Sequence, residues 1–489
     1  MSAIGLDVAD LSLVQAAEAV RQGEVSAVAL LEACLANLDA HEEAVNATIW
    51  VDREGAFAAA RAADAVHAAG GPIRSLHGLP LAHKDMYYQA GRLATCGSAI
   101  RKDFVPSYSA TAIERLAAAG AYAFAGLNMA EFAQNGTGHN RHHGDCRNPW
   151  NLSYITGGSS SGSGAAVASR FTFAALGSDT GGSIRLPAAA NGVSGIKPTQ
   201  TRVSRYGVMP LSFSADNVGP LARTARDCAR ILRIIAGHDP RDPTSAEMPV
   251  PDYEAGLNGD LSGARVGVPT TYFLDDVDAP VQAAFEASLA VLAERGATLV
   301  PLKLPLMDAI STYASVLSRV EGATIHAEWM RRHPHDFATH INARLFASLA
   351  IPATYYVEAL SRRGPILKAF ATEVFGQVDL LVAPTIRTCL PSIAATDVDH
   401  GPPGTEQLAL GISANTRPFN YLGLPSMSIP CGFDPNGLPI GLQISGRPFA
   451  EGAVLKAADA YQRDTDWHAR RPAIRPPEQS LQFLQRQGR

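Results

Sequence analysis

The chain has 489 residues, of which 46% are hydrophobic and 18% charged, with 43 Gly and 32 Pro. Apolar content near half excludes wholesale disorder, and a chain of this length buries a large core without disulfide or metal staples. A net charge of −5, with no basic run longer than two residues, excludes a nucleic-acid binder held by phosphate contacts.

At roughly 150 residues per domain, length alone suggests about three domains. Six cysteines (Cys34, Cys96, Cys146, Cys228, Cys389, Cys431) lie far apart without a CxxC pair, which fits reduced thiols in a cytoplasmic protein. The start lacks a basic segment followed by an apolar one, so no signal peptide is expected. The longest apolar stretch, around Ala165 to Leu176, is broken by Ser169, Arg170 and Thr172, so no membrane-spanning helix is expected.

In chain order, residues 10–69 read as helices, with Leu13, Val14, Ala17 and Val20 at helical spacing. Leu30, Leu31, Cys34 and Leu38 recur in the same way after Ser26, an N-cap candidate. Gly70-Gly71-Pro72 closes this N-terminal segment, 1–70. Leu79 to Tyr87 reads as a strand that turns Ala82, Lys84 and Met86 to one face and His83 and Asp85 to the other. Thr111–Gly120 then reads as a helix and Ala121–Ala125 as a strand. Alternation continues through Phe171–Leu176, Arg226–Ala236, Ala264–Val268, Val281–Arg295, Thr298–Val300, Val378–Val382, Met427–Pro430, Ile440–Ile444 and Glu451–Tyr461. This predicts an α/β fold with helices on both faces of a buried sheet. Asp239–Pro243 and Pro249–Pro251 form the best linker candidate, although both flanks read as α/β.

One stretch departs from the background: Gly157-Gly-Ser-Ser-Ser-Gly-Ser-Gly164, followed by Gly177-Ser-Asp-Thr-Gly-Gly-Ser-Ile-Arg-Leu-Pro187. A flexible linker is disfavoured because apolar structure follows at once. A phosphate-binding loop would end in Gly-Lys-Ser/Thr, and the run holds no lysine. Gly158-Ser-Ser-Ser-Gly162 matches GxSxG with Ser160 as nucleophile, but Asp466 and His468 would complete it only by their order in the chain. The favoured reading is an active site built from two glycine-rich turns. It puts Ser183 near a helix N-terminus, where free N–H groups and closely approaching backbone suit an oxyanion.

These two runs resemble the signature of the amidase signature family. The resemblance extends to Gly78-Leu-Pro-Leu-Ala-His-Lys-Asp85, Asn128–Phe132, Arg147–Trp150, Gly195–Thr199, Asp216–Pro220, Gly423–Pro425 and Gly437–Gln443, and it covers most of residues 10–470. It implies a large mixed β-sheet sandwiched between helices, with one α/β/α domain over 71–475, a variable pocket region at 300–375 and a tail at 476–489. It also implies a Ser–cis-Ser–Lys triad: Ser183 the nucleophile, Ser159 the bridging serine in a cis peptide after Gly158, and Lys84 the terminal base. The oxyanion hole would comprise the N–H groups of Thr180, Gly181, Gly182 and Ser183. Asp179 and Arg185 would form a supporting ion pair, and Ser160 is a candidate for a hydrogen bond to the triad. Met129, Asn135, Gly136 and Thr137 fall where relatives line the acyl pocket.

Lysine accepts a proton only when neutral, so Lys84 must be buried away from carboxylates. His139, His142, His143 and Cys146 have spacings that can bind zinc, but their segment resembles a non-metal loop of the family. No metal and no cofactor are expected.

The expected reaction is hydrolysis of a small-molecule carboxylic amide through an acyl-enzyme, with no nucleic-acid or membrane partner and with a homodimer left open. Ser204–Gly207 and Ala236–Ser245 resemble the A subunit of tRNA-dependent glutamine amidotransferase, which hydrolyses glutamine and passes ammonia to a partner. Residues 355–370 lack that subunit's basic run, and Asn415–Tyr421 and Thr465–His468 look more like stand-alone bacterial amidases, so the stand-alone reading is favoured. Carbamate or ester hydrolysis within the family is a further alternative. Phe337, Leu345, Phe346, Leu349, Tyr355 and Tyr356 suggest an apolar or aromatic acyl group, unless they are core.

Overall fold

The computed structural model describes residues 7–475, so the expected tail at 476–489 lies outside the described residues. Among those described, eleven strands enter one sheet. They are β1 (Thr48–Val51), β2 (Pro80–Lys84), β3 (Tyr122–Leu127), β4 (Ala174–Asp179), β5 (Ser194–Lys197) and β6 (Asn217–Ala222). The chain then adds β7 (Arg265–Pro269), β8 (Thr298–Leu302), β9 (Leu380–Pro384), β10 (Ser426–Phe433) and β11 (Pro439–Gly446). Their spatial order is β1-β3-β2-β4-β6-β5-β10-β11-β9-β7-β8. Parallel pairs flank a central antiparallel run from β4 to β9, so the sheet is mixed. Strands β2, β4, β6, β9 and β11 are buried along their whole length, which requires helices on both faces.

Local signals explain the elements that frame the site. Ser26 caps the helix Ala27–Val45 by accepting from Ala29 N at 3.0 Å. The all-helical reading of residues 10–69 is corrected by β1. Asn46 turns left-handed (φ 56°) and ends the helix, and the strand-favouring run Thr48-Ile-Trp-Val51 then pairs with β3. The strand expected at Phe171–Leu176 is displaced toward the C-terminus. Gly177, Ser178 and Asp179 extend β4 by pairing with Gly219, Val218 and Asn217 of β6. That shift carries Ser178 and Asp179 onto the sheet.

Strands from both sides of residues 239–251 share the sheet. The segment itself is pinned down: Asp239 accepts from Ser204 Oγ at 2.7 Å and from Thr111, and its N–H reaches Ser245 Oγ at 2.9 Å.

Candidate active site

Strands β2 and β4 run parallel, with Ala82 opposite Ala175 and His83 opposite Leu176, so their carboxyl ends emerge side by side. In open α/β sheets that is where ligands bind. Lys84, the last residue of β2, is 1% exposed. Its Nζ lies 2.7 Å from Ser159 Oγ and 2.9 Å from Ser178 Oγ. Strand alternation sends the neighbouring Asp85 the other way, where it accepts from Trp50 Nε1 at 3.0 Å and Thr95 N at 2.8 Å. Burial pushes the Lys84 ammonium down to about 7, against the opposing charges of Asp216 and Asp179.

Ser159 follows a cis Gly158–Ser159 peptide and precedes the helix Ser161–Ala168. That helix is built from small residues, all buried. The other hydroxyls of the run are spent on backbone carbonyls: Ser160 on Ser178 (3.3 Å), Ser161 on Asn128 (3.3 Å) and Ser163 on Leu176 (3.2 Å). Ser160 thus meets the main chain of a residue whose hydroxyl contacts Lys84.

Ser183 stands just before the helix Arg185–Asn191. Its Oγ has no hydrogen-bond partner among the described residues, and it borders a cavity of about 220 Å³ together with Thr180, Gly181, Asn135 and Gly136. The turn leading to it is organised by Asp179, whose carboxylate accepts from Gly182 N at 2.8 Å and Ile184 N at 3.1 Å. Arg185 closes on that carboxylate at 2.9 and 3.0 Å, with both side chains fully buried. Burial would raise the Asp179 carboxyl, but the Arg185 charge and hydrogen bonds hold it at about 2. The guanidinium also donates to Thr416 O, Gln443 Oε1 and Asn420 Oδ1, so the segment Asn415–Tyr421 braces the turn from behind.

The four amides expected from the sequence to form an oxyanion hole differ in their hydrogen bonding. The Gly182 N–H is committed to Asp179, whereas those of Thr180, Gly181 and Ser183 have no acceptor among the described residues. Gly182 adopts φ 134°, and any Cβ there would collide with Thr416 Oγ1. At Gly181 a Cβ would meet nothing within 4 Å, so its face is open to the cavity.

Of the expected pocket residues, Asn135 and Gly136 line this cavity. Thr137 lines a wider adjoining chamber of about 470 Å³ that shares Gln134, Asn135, Gly136, Arg319 and Arg344 with it. Met129 lines neither; its side chain is fully buried and its carbonyl accepts from Asn140 Nδ2 at 2.7 Å. None of the six apolar residues expected to shape an aromatic pocket borders either chamber. Phe337 and Leu345 are core, while Phe346, Leu349 and Tyr355 are exposed. The 300–375 segment contributes Ser315, Ser318, Arg319 and Arg344 to the inner cavity instead.

The histidine cluster is dispersed by its hydrogen bonds. His139 joins Asp145 (3.0 Å) and Thr396 (2.9 Å), and His142 joins Glu131 (2.9 Å). Among the described residues, no three His, Cys, Asp or Glu side chains converge on a common point. His468 borders a separate cavity with Arg170 and Arg223, so no elbow forms around Ser160.

Two residues escaped the sequence reading. Ser178 lies inside the quoted motif, and strand parity could have singled it out had the strand been placed three residues further on. Asp216 accepts from Thr180 Oγ1 at 2.5 Å and from the N–H groups of Leu211 and Ser212, and no local pattern announces that contact.

The family model named Amidase matches residues 29–455, and the chain belongs to the amidase signature family. The A subunit of glutamyl-tRNA(Gln) amidotransferase from Chloroflexus aggregans is 42% identical over 95% of this chain and 98% of its own length. A solved structure from a vestigial protein complex, described for the evolutionary origins of an s-triazine catabolic enzyme, superposes with a TM-score of 0.86. It is 32% identical and covers 92% of this chain and 98% of its own. A 6-aminohexanoate cyclic dimer hydrolase complexed with substrate gives a TM-score of 0.85 at 27% identity, covering 96% of this chain and 100% of its own. Among the described residues no helix is long and apolar enough to cross a membrane.

Proposed function

We propose that the chain hydrolyses a carboxylic amide through a Ser183–Ser159–Lys84 relay. Neutral Lys84 takes the Ser159 proton as Ser159 takes that of Ser183, and Ser183 Oγ bonds to the amide carbon. The oxyanion lies against the N–H groups of Thr180, Gly181 and Ser183. Collapse breaks the C–N bond, the relay returns its proton to the leaving amine, and water releases the acyl group by the same route.

The observation that carries this reading is the 2.7 Å contact between Lys84 Nζ and Ser159 Oγ, made by a buried lysine whose pKa is brought down to about 7. A neutral amine has one lone pair and two N–H groups. It can therefore accept from Ser159 while donating to Ser178. The six cysteines are unpaired, which supports a cytoplasmic setting.

The shared name of the curated relatives favours a second reading, in which glutamine is the amide and a partner protein receives the ammonia. The relatives that carry this name reach 42% identity over 95% of this chain.

Two measurements test these readings. Labelling by a fluorophosphonate is expected in the native protein and absent in Ser183→Ala; undiminished labelling would place the nucleophile elsewhere. A hydrolysis panel of aliphatic, aromatic and carbamate substrates with glutamine separates the two readings. Glutamine turnover that requires an added partner establishes the second.

A further inference from the structure

The inner cavity beside Ser183 is lined by three ionisable side chains, and all three are arginines: Arg319, Arg344 and Arg417. They come from distant places. The helix Met307–Arg332 presents Ser315, Ser318 and Arg319 on one face, the helix Thr339–Ser348 supplies Arg344, and the helix Arg417–Tyr421 begins with Arg417.

Among the described residues none of the three forms an ion pair. The Arg417 guanidinium donates only to Leu410 O at 3.1 Å and to Ser413 Oγ at 2.6 Å. Arg344 Nε is buried with no hydrogen-bond partner. Burial and the charges of Arg319 and Arg417 push the Arg344 guanidinium down to about 10, against the opposing charge of Glu406. Like charges gathered without a direct ion pair oppose folding, and an arginine fork left without an acceptor is costly. A carboxylate is the planar, two-oxygen acceptor that such forks match.

No acidic side chain lines the inner cavity; the nearest, Glu406, borders the wider chamber and its charge reaches Arg344. Glu406 and Asp399 line the wider chamber, and Asp399 is already bonded to Arg141 at 3.0 Å and His340 at 3.2 Å. A substrate ammonium inside the inner cavity would face three cations and no acid. We propose that the cavity beside Ser183 takes an amide carrying a carboxylate without a neighbouring ammonium, such as the monoamide of a small dicarboxylic acid, with Arg319, Arg344 and Arg417 receiving the carboxylate. This rests on the amide-hydrolase reading and adds the substrate class to it.

The test compares kcat/KM for succinamate and glutaramate with butyramide and pentanamide, and glutaramate with glutamine, on the full-length protein. The expected result is a preference of about tenfold or more for the anionic monoamide in each pair, and for glutaramate over glutamine. Arg344→Gln, or Arg319→Gln should the first variant fold poorly, is expected to reduce the succinamate-to-butyramide ratio by about tenfold. Calorimetric binding of succinate, lost in the same variant, reads the site independently of turnover. Equal rates for anionic and neutral amides, glutamine preferred to glutaramate, or a ratio and succinate affinity unchanged by both substitutions would overturn the assignment. Were Ser183 to escape fluorophosphonate labelling while succinate bound, the hydrolase reading alone would fall. Labelled Ser183 without anion preference would sink this inference alone.

Discussion

Lys84 Nζ hydrogen-bonds two serine hydroxyls, Ser159 Oγ at 2.7 Å and Ser178 Oγ at 2.9 Å, and pairs with no carboxylate among the described residues. A lysine so placed is discharged near neutrality instead of above pH 10. In the proposed relay the neutral form is the base, so kcat/KM should rise with pH on an acidic limb centred at about 7. Lys84→Ala should lose about 10²–10⁴-fold in rate together with that limb. Lys84→Arg should not restore it, because a guanidinium stays protonated. Rate–pH profiles of the three proteins check this.

Ser178 is a positioning residue, since it acts through Lys84. Ser178→Ala leaves the amine free to rotate away from Ser159, so kcat should fall by about tenfold while KM changes little. The acidic limb should shift as well, which a purely structural defect would not produce. Ser178→Thr, which keeps the hydroxyl, should recover most of the rate.

Asp216 acts on two members of the site. Its carboxylate holds Thr180 Oγ1, and its negative charge supports the protonated form of Lys84. Neutralising it in Asp216→Asn removes an attraction for the ammonium, so the acidic limb should move to lower pH. The maximal rate should fall at the same time, because the Thr180 amide loses its support. A limb that stays in place would show that the charge does not reach Lys84.

The Asp179–Arg185 pair should matter for both folding and turnover. Arg185→Met leaves a buried carboxylate without its cation, a change that costs about 3–5 kcal/mol in unfolding free energy. Urea denaturation measures that loss. Asp179→Asn should also cut activity steeply, since the Gly182 and Ile184 amides that shape the turn lose their charged acceptor. A variant of either kind with native stability would contradict the bracing role.

Much of the site was legible before any fold was known, and the reasons are local. Glycines flanking serines and an Arg-Leu-Pro helix start are patterns whose meaning lies within a few residues, whereas the part expected of Lys84 and Ser159 came from the resemblance to the family. Strand parity alone separated Lys84 from Asp85, and the structure places them on opposite faces as that parity requires. β1 was misread because helical spacing on both sides masked a four-residue strand that exists only by pairing with β3.

The sequence by itself determined a serine on a glycine-rich turn before a helix, because that pattern is short-range, while Lys84 and Ser159 entered only through the family resemblance. Only the tertiary structure decided how those groups are spent. Whether the Gly182 amide faces Asp179 or a substrate depends on the turn's dihedrals and on an arginine held by residues 416, 420 and 443. The charge of the pocket depends on three arginines, Arg319, Arg344 and Arg417, far apart in the chain and brought to one wall by helices packed around the sheet. Periodicity reports which face of an element is buried. It carries no information on which distant side chains will share that space, and substrate choice is written there.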